Sequence, residues 1–183
     1  DVYKRQIYYN PNSFKSNLCI RGRELLLEFL DEESIPFRLE GKIVVDNDIN
    51  KLSSLEERAT QLSMENVKVL EKSDILKLEP YCKFDIALHV PQAGVVDYGV
   101  VTRKLASKFQ SLGGTIEYFQ KIKSIKTNNG LKILESNNSI FHSEFLINCA
   151  GLYSDNIAKL DNIEPELRII PFRGEYFTIA KEK

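Results

Sequence analysis

With two histidines, three cysteines and no C-x-x-C pair, this 183-residue chain has little with which to hold a metal. His89 and His142 are too few for a histidine-based zinc site. Cys19, Cys82 and Cys149 are odd in number and far apart, which fits a reducing compartment better than a disulfide framework. Charge of one sign is also lacking: 25 Lys and Arg stand against 26 Asp and Glu, a formal net charge of −1. The basic residues are scattered among acids, so nothing points to nucleic acid as a partner. No apolar run approaches the ~20 residues that cross a bilayer, and no transmembrane segment is expected. The opening Asp1-Val2-Tyr3-Lys4-Arg5-Gln6 lacks the apolar core of a signal peptide, so a cytoplasmic location is expected. Asn137-Asn138-Ser139 matches the glycosylation sequon and, without an export signal, reads as coincidence. There is no internal repeat and no low-complexity segment.

Hydrophobic periodicity supplies the positive signal. Phe14, Leu18, Gly22, Leu25, Leu26 and Phe29 recur at helical spacing over residues 13–31, with Asn12 or Ser13 as cap. Gly22 on that stripe predicts close packing against another element. A second helix starts near Asn50, with Leu52, Leu55, Ala59 and Leu62 on one face and Asp46, Asn47 and Asp48 offering caps. A short helix over 73–78 ends at Pro80. A longer one begins after Asp97, carries Val101, Leu105, Phe109 and Leu112, and stops at Gly113-Gly114. Strands are predicted at 42–45, 67–70, 115–119, 121–126, 131–135, 140–142 and 144–149, and around Arg168–Pro171 and Glu175–Ile179. Phe84, Ile86, Leu88 and Val90 alternate with Asp85, Ala87 and His89, the pattern of a half-buried strand with a solvated His89. Asn129-Gly130 predicts a hairpin. The expected class is α/β, or a mixed α+β layering. Both ends read as cut.

The most informative stretch is Asn148-Cys149-Ala150-Gly151-Leu152-Tyr153-Ser154-Asp155, after the apolar run Glu144–Ile147 and before the short helix carrying Ile157, Ala158 and Leu160. It reads as strand, turn, helix. Gly151 has no Cβ, so a backbone or a ligand can approach closely, and the helix start presents free N–H groups to an anion. The alternative is a tight connection with no ligand.

With these segments placed, the chain resembles the FAD-dependent L-2-hydroxyglutarate oxidases and dehydrogenases of the D-amino-acid-oxidase-like superfamily. The strings that carry the resemblance begin with Ile7-Tyr8-Tyr9, Ser13-Phe14-Lys15-Ser16-Asn17-Leu18-Cys19, Ile35-Pro36-Phe37 and Gly41-Lys42-Ile43-Val44-Val45. They continue with Leu78-Glu79-Pro80-Tyr81-Cys82, Gly94-Val95-Val96-Asp97-Tyr98, the stretch from Ile147 to Asp155, and Arg168-Ile169-Ile170-Pro171-Phe172-Arg173-Gly174-Glu175-Tyr176. They stand in the family's order.

The resemblance implies a partial FAD-binding Rossmann-like domain, residues 7–34 and 97–165, with an inserted part of a β-sheet substrate domain, residues 35–96 and 166–183. The family's G-x-G-x-x-G unit, which holds the FAD pyrophosphate, is absent here. Residues 1–6 do not match the family's His-x-Ser-Gly-type string and are expected to be foreign to the natural protein or disordered.

The resemblance brings Cys149, Ala150 and Gly151 close to bound FAD, and sets the main chain of Ile122 toward its adenine end. Ile122 has the alternative of a plain core isoleucine. Arg173 becomes a candidate to hold a substrate carboxylate with two parallel hydrogen bonds or to touch the flavin; its alternative is an ordinary pair with Glu175. Arg168 is a second such candidate. Tyr8 and Tyr9 become candidates to line the substrate pocket, or are ordinary half-buried tyrosines. The general base is expected on a family histidine preceding Ile7, so no catalytic residue is assigned within the chain.

The implied reaction takes a small-molecule 2-hydroxy acid, L-2-hydroxyglutarate, to 2-oxoglutarate, with oxygen or a quinone as final electron acceptor. Peripheral contact with the inner membrane is compatible with it. Glycerol-3-phosphate, glycine or sarcosine are rival substrates within the superfamily, and a non-catalytic interaction domain is a further alternative.

Overall fold

The computed structural model describes residues 6–175 and divides into two compact units after Thr115. The Glu175–Ile179 strand expectation lies almost wholly outside the described residues, as do Asp1–Arg5.

The first unit opens with a 3₁₀ turn, Gln6–Tyr8, and helix α1, Phe14–Glu32. Ser13 caps α1: its Oγ accepts the Ser16 N–H at 3.2 Å, and the buried Ser16 hydroxyl donates back to the Ser13 carbonyl at 2.9 Å. The C-terminal part of α1 packs on helix α4, Tyr98–Ser111, through Leu30, Ile35 and Val101. The predicted stripe is only partly used. Phe14 is 87% exposed and Leu18 69%, and no atom stands within 4 Å of where a Cβ of Gly22 would be. The close packing expected at Gly22 is therefore absent, because no described element covers the N-terminal stretch of that stripe.

Three antiparallel strands form the principal sheet in the order β2-β4-β3: β2 is Lys42–Val45, β3 Lys68–Glu71 and β4 Ile86–Val90. A separate two-stranded pair joins β1, Phe37–Arg38, to β5, Val95–Val96. Helix α2, Ile49–Gln61, begins where the Asp48 carboxylate accepts the Asn50 N–H at 3.0 Å. It sets Leu52 and Ala59 against Leu88 and Val90, with Ile7 of the 3₁₀ turn sealed into the same cluster. Helix α3, Lys72–Leu78, places Ile75 against Leu70 and Ala87. Successive residues of a strand face opposite ways, so the two clusters lie on opposite faces of β4. Alternation predicted a half-buried strand. Instead Ala87 and Leu88 are both fully buried, because β4 is central and each face has its own helix.

The Asp97 carboxylate caps α4 by accepting the N–H groups of Gly99 and Val100 at 2.7 and 3.3 Å. Gly113, at φ +89°, ends that helix. The Phe109 ring lies so close to Gly114 that a Cβ there would meet it at 2.3 Å.

The second unit is a meander of β6 (Ser124–Asn128), β7 (Leu131–Glu135) and β8 (Ile140–Ser143), then a 3₁₀ turn Gly151–Tyr153 and helix α5, Ser154–Leu160. Asn129 and Gly130 both have positive φ, 49° and 81°, as a two-residue type I′ hairpin requires. Lys132 Nζ meets both carboxylate oxygens of Asp161 at 2.7 Å, tying β7 to the end of α5. The buried Ser136 hydroxyl accepts the Ser139 N–H at 2.9 Å and lies 2.6 Å from Gln120 Oε1.

Three predicted strands do not form. Residues 115–119, 144–149 and 168–171 are irregular. Phe145 and Ile147 are 82% and 84% exposed. A strand exists only where its N–H and C=O groups meet a neighbour, and no described strand pairs with these segments. The β6 segment also starts at Ser124, later than predicted. All strand pairings among the described residues are antiparallel.

Candidate functional site

The turn after the 145–148 segment is braced from within. Asn148 Nδ2 donates to the Ser154 carbonyl at 2.8 Å, and Asn148 Oδ1 accepts the Ala150 N–H at 3.2 Å. The Tyr153 N–H closes the 3₁₀ turn on the Ala150 carbonyl at 3.0 Å. One asparagine thus pins both sides of Cys149-Ala150-Gly151. Gly151 sits at φ +57°, a left-handed conformation that a side chain strains. No heavy atom lies within 4 Å of where its Cβ would point. Cys149 and Gly151 are exposed and Ala150 is half-buried. Asp155 ties the first turn of α5 to the 168–171 segment, its carboxylate accepting the N–H groups of Asn156 and Ile169 at 2.8 and 3.3 Å.

The result is a stiff, uncovered edge of main chain. A flat cofactor such as a flavin nucleotide needs such an edge to lie against, so the residues present fit that part of FAD. They do not supply a pyrophosphate cradle, since the chain has no G-x-G-x-x-G turn.

The other predicted site residues are spread over both units. Ile122 is half-buried just before β6, with the adjacent Lys123 N–H donated to the Glu135 carbonyl at 2.8 Å. Arg173 is exposed, its Nε 3.7 Å from the Glu175 carboxylate, which is the ordinary pairing weighed above. Arg168 is exposed. These belong to the second unit and Tyr8 and Tyr9 to the first. Tyr8 is 46% exposed, with Lys42 Nζ 5.2 Å from its ring centroid; Lys15 Nζ stands 6.0 Å from that of the half-buried Tyr9. Tyr8 borders an open hollow of about 550 Å³ with Val44, Asp46, Lys51, Leu55 and Arg58.

Two residues were not singled out from sequence. Ile7 is completely buried, and Arg58 Nη1 donates to the Tyr8 carbonyl at 3.3 Å. A lone isoleucine before two tyrosines and an arginine on the wet side of a helix carry no pattern that announces either role.

His89 is half-buried on β4, facing Ile43 and Lys68 across the ladders, rather than solvated. Burial pushes its imidazole below the ordinary value of 6.5, and Lys68 adds in the same direction. With the folded value lowered, the unfolded chain takes up this proton first as pH falls. The stabilising contribution is full above about pH 6.5 and is lost below it, toward the folded value. The His89→Gln variant is therefore expected to show a flatter fall in urea midpoint between about pH 7 and pH 5. An identical slope in the two proteins removes His89 as its source.

Among the described residues no cluster of His, Cys, Asp or Glu is arranged to hold a metal ion. No described helix is long and apolar enough to cross a membrane.

Residues 3–183 match the DAO family, described as FAD dependent oxidoreductase. An L-2-hydroxyglutarate dehydrogenase of Indibacter alkaliphilus is 42% identical over 97% of this chain and 45% of its own length. The mitochondrial L-2-hydroxyglutarate dehydrogenase of Mus musculus is 34% identical over 97% of this chain and 41% of its own. The chain thus spans less than half the length of the curated relatives it matches. Among solved structures, the FAD-bound L-alpha-glycerophosphate oxidase of Mycoplasma pneumoniae superposes with a TM-score of 0.78 at 23% identity, covering 86% of this chain and 44% of that one. Glycine oxidase of Geobacillus kaustophilus gives 0.74 at 18%, over 86% and 45%. At those identities the two structures speak for the fold alone. The mixed helix and sheet architecture and the match over nearly all residues bear out the resemblance drawn from the strings: this chain belongs to the DAO family of FAD-dependent oxidoreductases.

Proposed function

We propose that the chain is part of an FAD-dependent oxidoreductase that converts L-2-hydroxyglutarate to 2-oxoglutarate. The observation that carries the reading is the bare main-chain edge at Ala150-Gly151, in a chain 42% identical to a relative named for that substrate. Cys149, Ala150 and Gly151 lie against FAD, and the main chain beside Ile122 faces its adenine end. Tyr8 and Tyr9 wall the substrate pocket. Arg173 exchanges its loose, solvent-screened partner Glu175 for a substrate carboxylate. When bound, the flavin supplies an acceptor for the hydride of the carbinol carbon. The hydroxyl proton leaves to a base that is not among the described residues. Residues 7–34 and 97–165 belong to the cofactor domain and 35–96 and 166–183 to the substrate domain. Oxygen or a quinone takes the electrons onward. A cytoplasmic location accords with three free cysteines.

The test is anaerobic flavin bleaching in the protein completed to the length of its relatives. L-2-Hydroxyglutarate is expected to bleach it, and glycine, sarcosine and glycerol-3-phosphate are not. Bleaching by one of those three alone moves the assignment to another substrate.

A further inference from the structure

We propose that Arg58 of α2 is a positioning residue: it fixes the Gln6–Tyr8 turn and, through it, the orientation of Tyr8 and Tyr9 toward substrate. This role rests on the reading of those tyrosines as pocket walls. A three-residue 3₁₀ turn has almost no stability of its own, so its position must come from the elements it packs on. Two contacts supply that position, and they act differently.

The first is Ile7. Completely buried, it sits among Leu52 and Ala59 of α2 and Leu88 and Val90 of β4. An apolar plug fixes how deep the turn lies, and dispersion is indifferent to how the flanking peptides are turned. The second is Arg58, one turn from the end of α2, whose Nη1 donates to the Tyr8 carbonyl across 50 positions of sequence at 3.3 Å. A hydrogen bond is directional. It holds the peptide plane after Tyr8 and therefore sets where the Tyr8 and Tyr9 side chains leave the main chain. Arg58 itself also lines the hollow that Tyr8 borders. Lys42 over the Tyr8 ring then stabilises the side-chain orientation so set.

A purely structural arginine, acting only as a cation near a helix end, would affect stability and nothing else. The two roles separate in steady-state kinetics of the completed, FAD-loaded protein. Arg58→Ala is expected to raise KM about tenfold with kcat and flavin content kept within about twofold. Arg58→Lys, which keeps one donor for the carbonyl, is expected to recover most of that loss. Should Arg58→Ala not fold, Arg58→Met, which keeps the apolar stem, is read in the same way. An unchanged KM in the folded variant, with only a lower melting temperature, overturns the proposal. Should L-2-hydroxyglutarate not bleach the flavin, the substrate assignment fails separately. The same KM comparison is then made with the compound that does bleach it, and an unaltered KM there overturns the role of Arg58 by itself.

Discussion

Gly151→Val in the completed protein is expected to weaken FAD binding by at least about a hundredfold. Two effects add. At φ +57° a β-branched residue is strained by about 1–3 kcal/mol, so the free turn relaxes away from the conformation held by the Asn148 and Tyr153 hydrogen bonds and binding has to restore it. The two methyl groups also enter the open space above the turn, where the nucleotide is proposed to lie. Gly151→Ala carries a smaller strain of about 1 kcal/mol and a single methyl, so it should weaken binding far less. The measurement is the FAD dissociation constant by fluorescence quenching, with the melting temperature of the apoprotein as control. A Gly151→Val protein that keeps its affinity within twofold shows that the nucleotide does not lie against this edge, and the cofactor geometry proposed above falls with it.

Leu88→Ala is expected to cost about 3 kcal/mol of folding stability. Leu88 is fully buried on the central strand, paired with Val44 on one side and Val69 on the other, and roofed by α2. Removing its side chain leaves a cavity whose walls are held by two ladders and a helix, so little collapse is available to fill it. Leu112→Ala, at a residue 82% exposed at the end of α4, should change stability by less than about 0.5 kcal/mol. Urea midpoints of the two variants make the comparison. Equal shifts would mean that the packing of α2 on β4 is not what holds the first unit together.

What was readable in the sequence was local. Ser13, Asp48 and Asp97 start helices where their side chains reach free N–H groups, and the signal needs no knowledge of distant contacts. Asn129-Gly130 specifies a hairpin for the same reason: both residues accept positive φ. The apolar face of α2 was found because its whole length is covered by one sheet. Failures came where the outcome depends on a partner. Residues 115–119 and 145–148 have strand composition, yet composition supplies no adjacent ladder, and their apolar side chains stand open. The α1 stripe was correct as a pattern and mostly uncovered in fact. His89 was misread because alternation cannot tell a strand with one wet face from a central strand with two helices.

The candidate site divides along the same line. Gly151 was readable, since a glycine before a helix implies a backbone conformation. Arg173 was readable as a chemical type and in its pairing with Glu175, since a partner two residues away needs no distant contact. Ile7 and Arg58 were missed because their roles are made by residues some fifty positions away.

The strand connections also order events in time. In the second unit β6, β7 and β8 are consecutive along the chain, so each pairing closes only a short loop, and the meander should assemble early. In the first unit β3 can close on β4 across a short loop, but β2 is paired only when Lys42 finds Val90, which carries a larger loop-closure entropy. A nascent chain therefore exposes β2 and α2 for longest, and mutations between them should slow folding more than mutations in the hairpin.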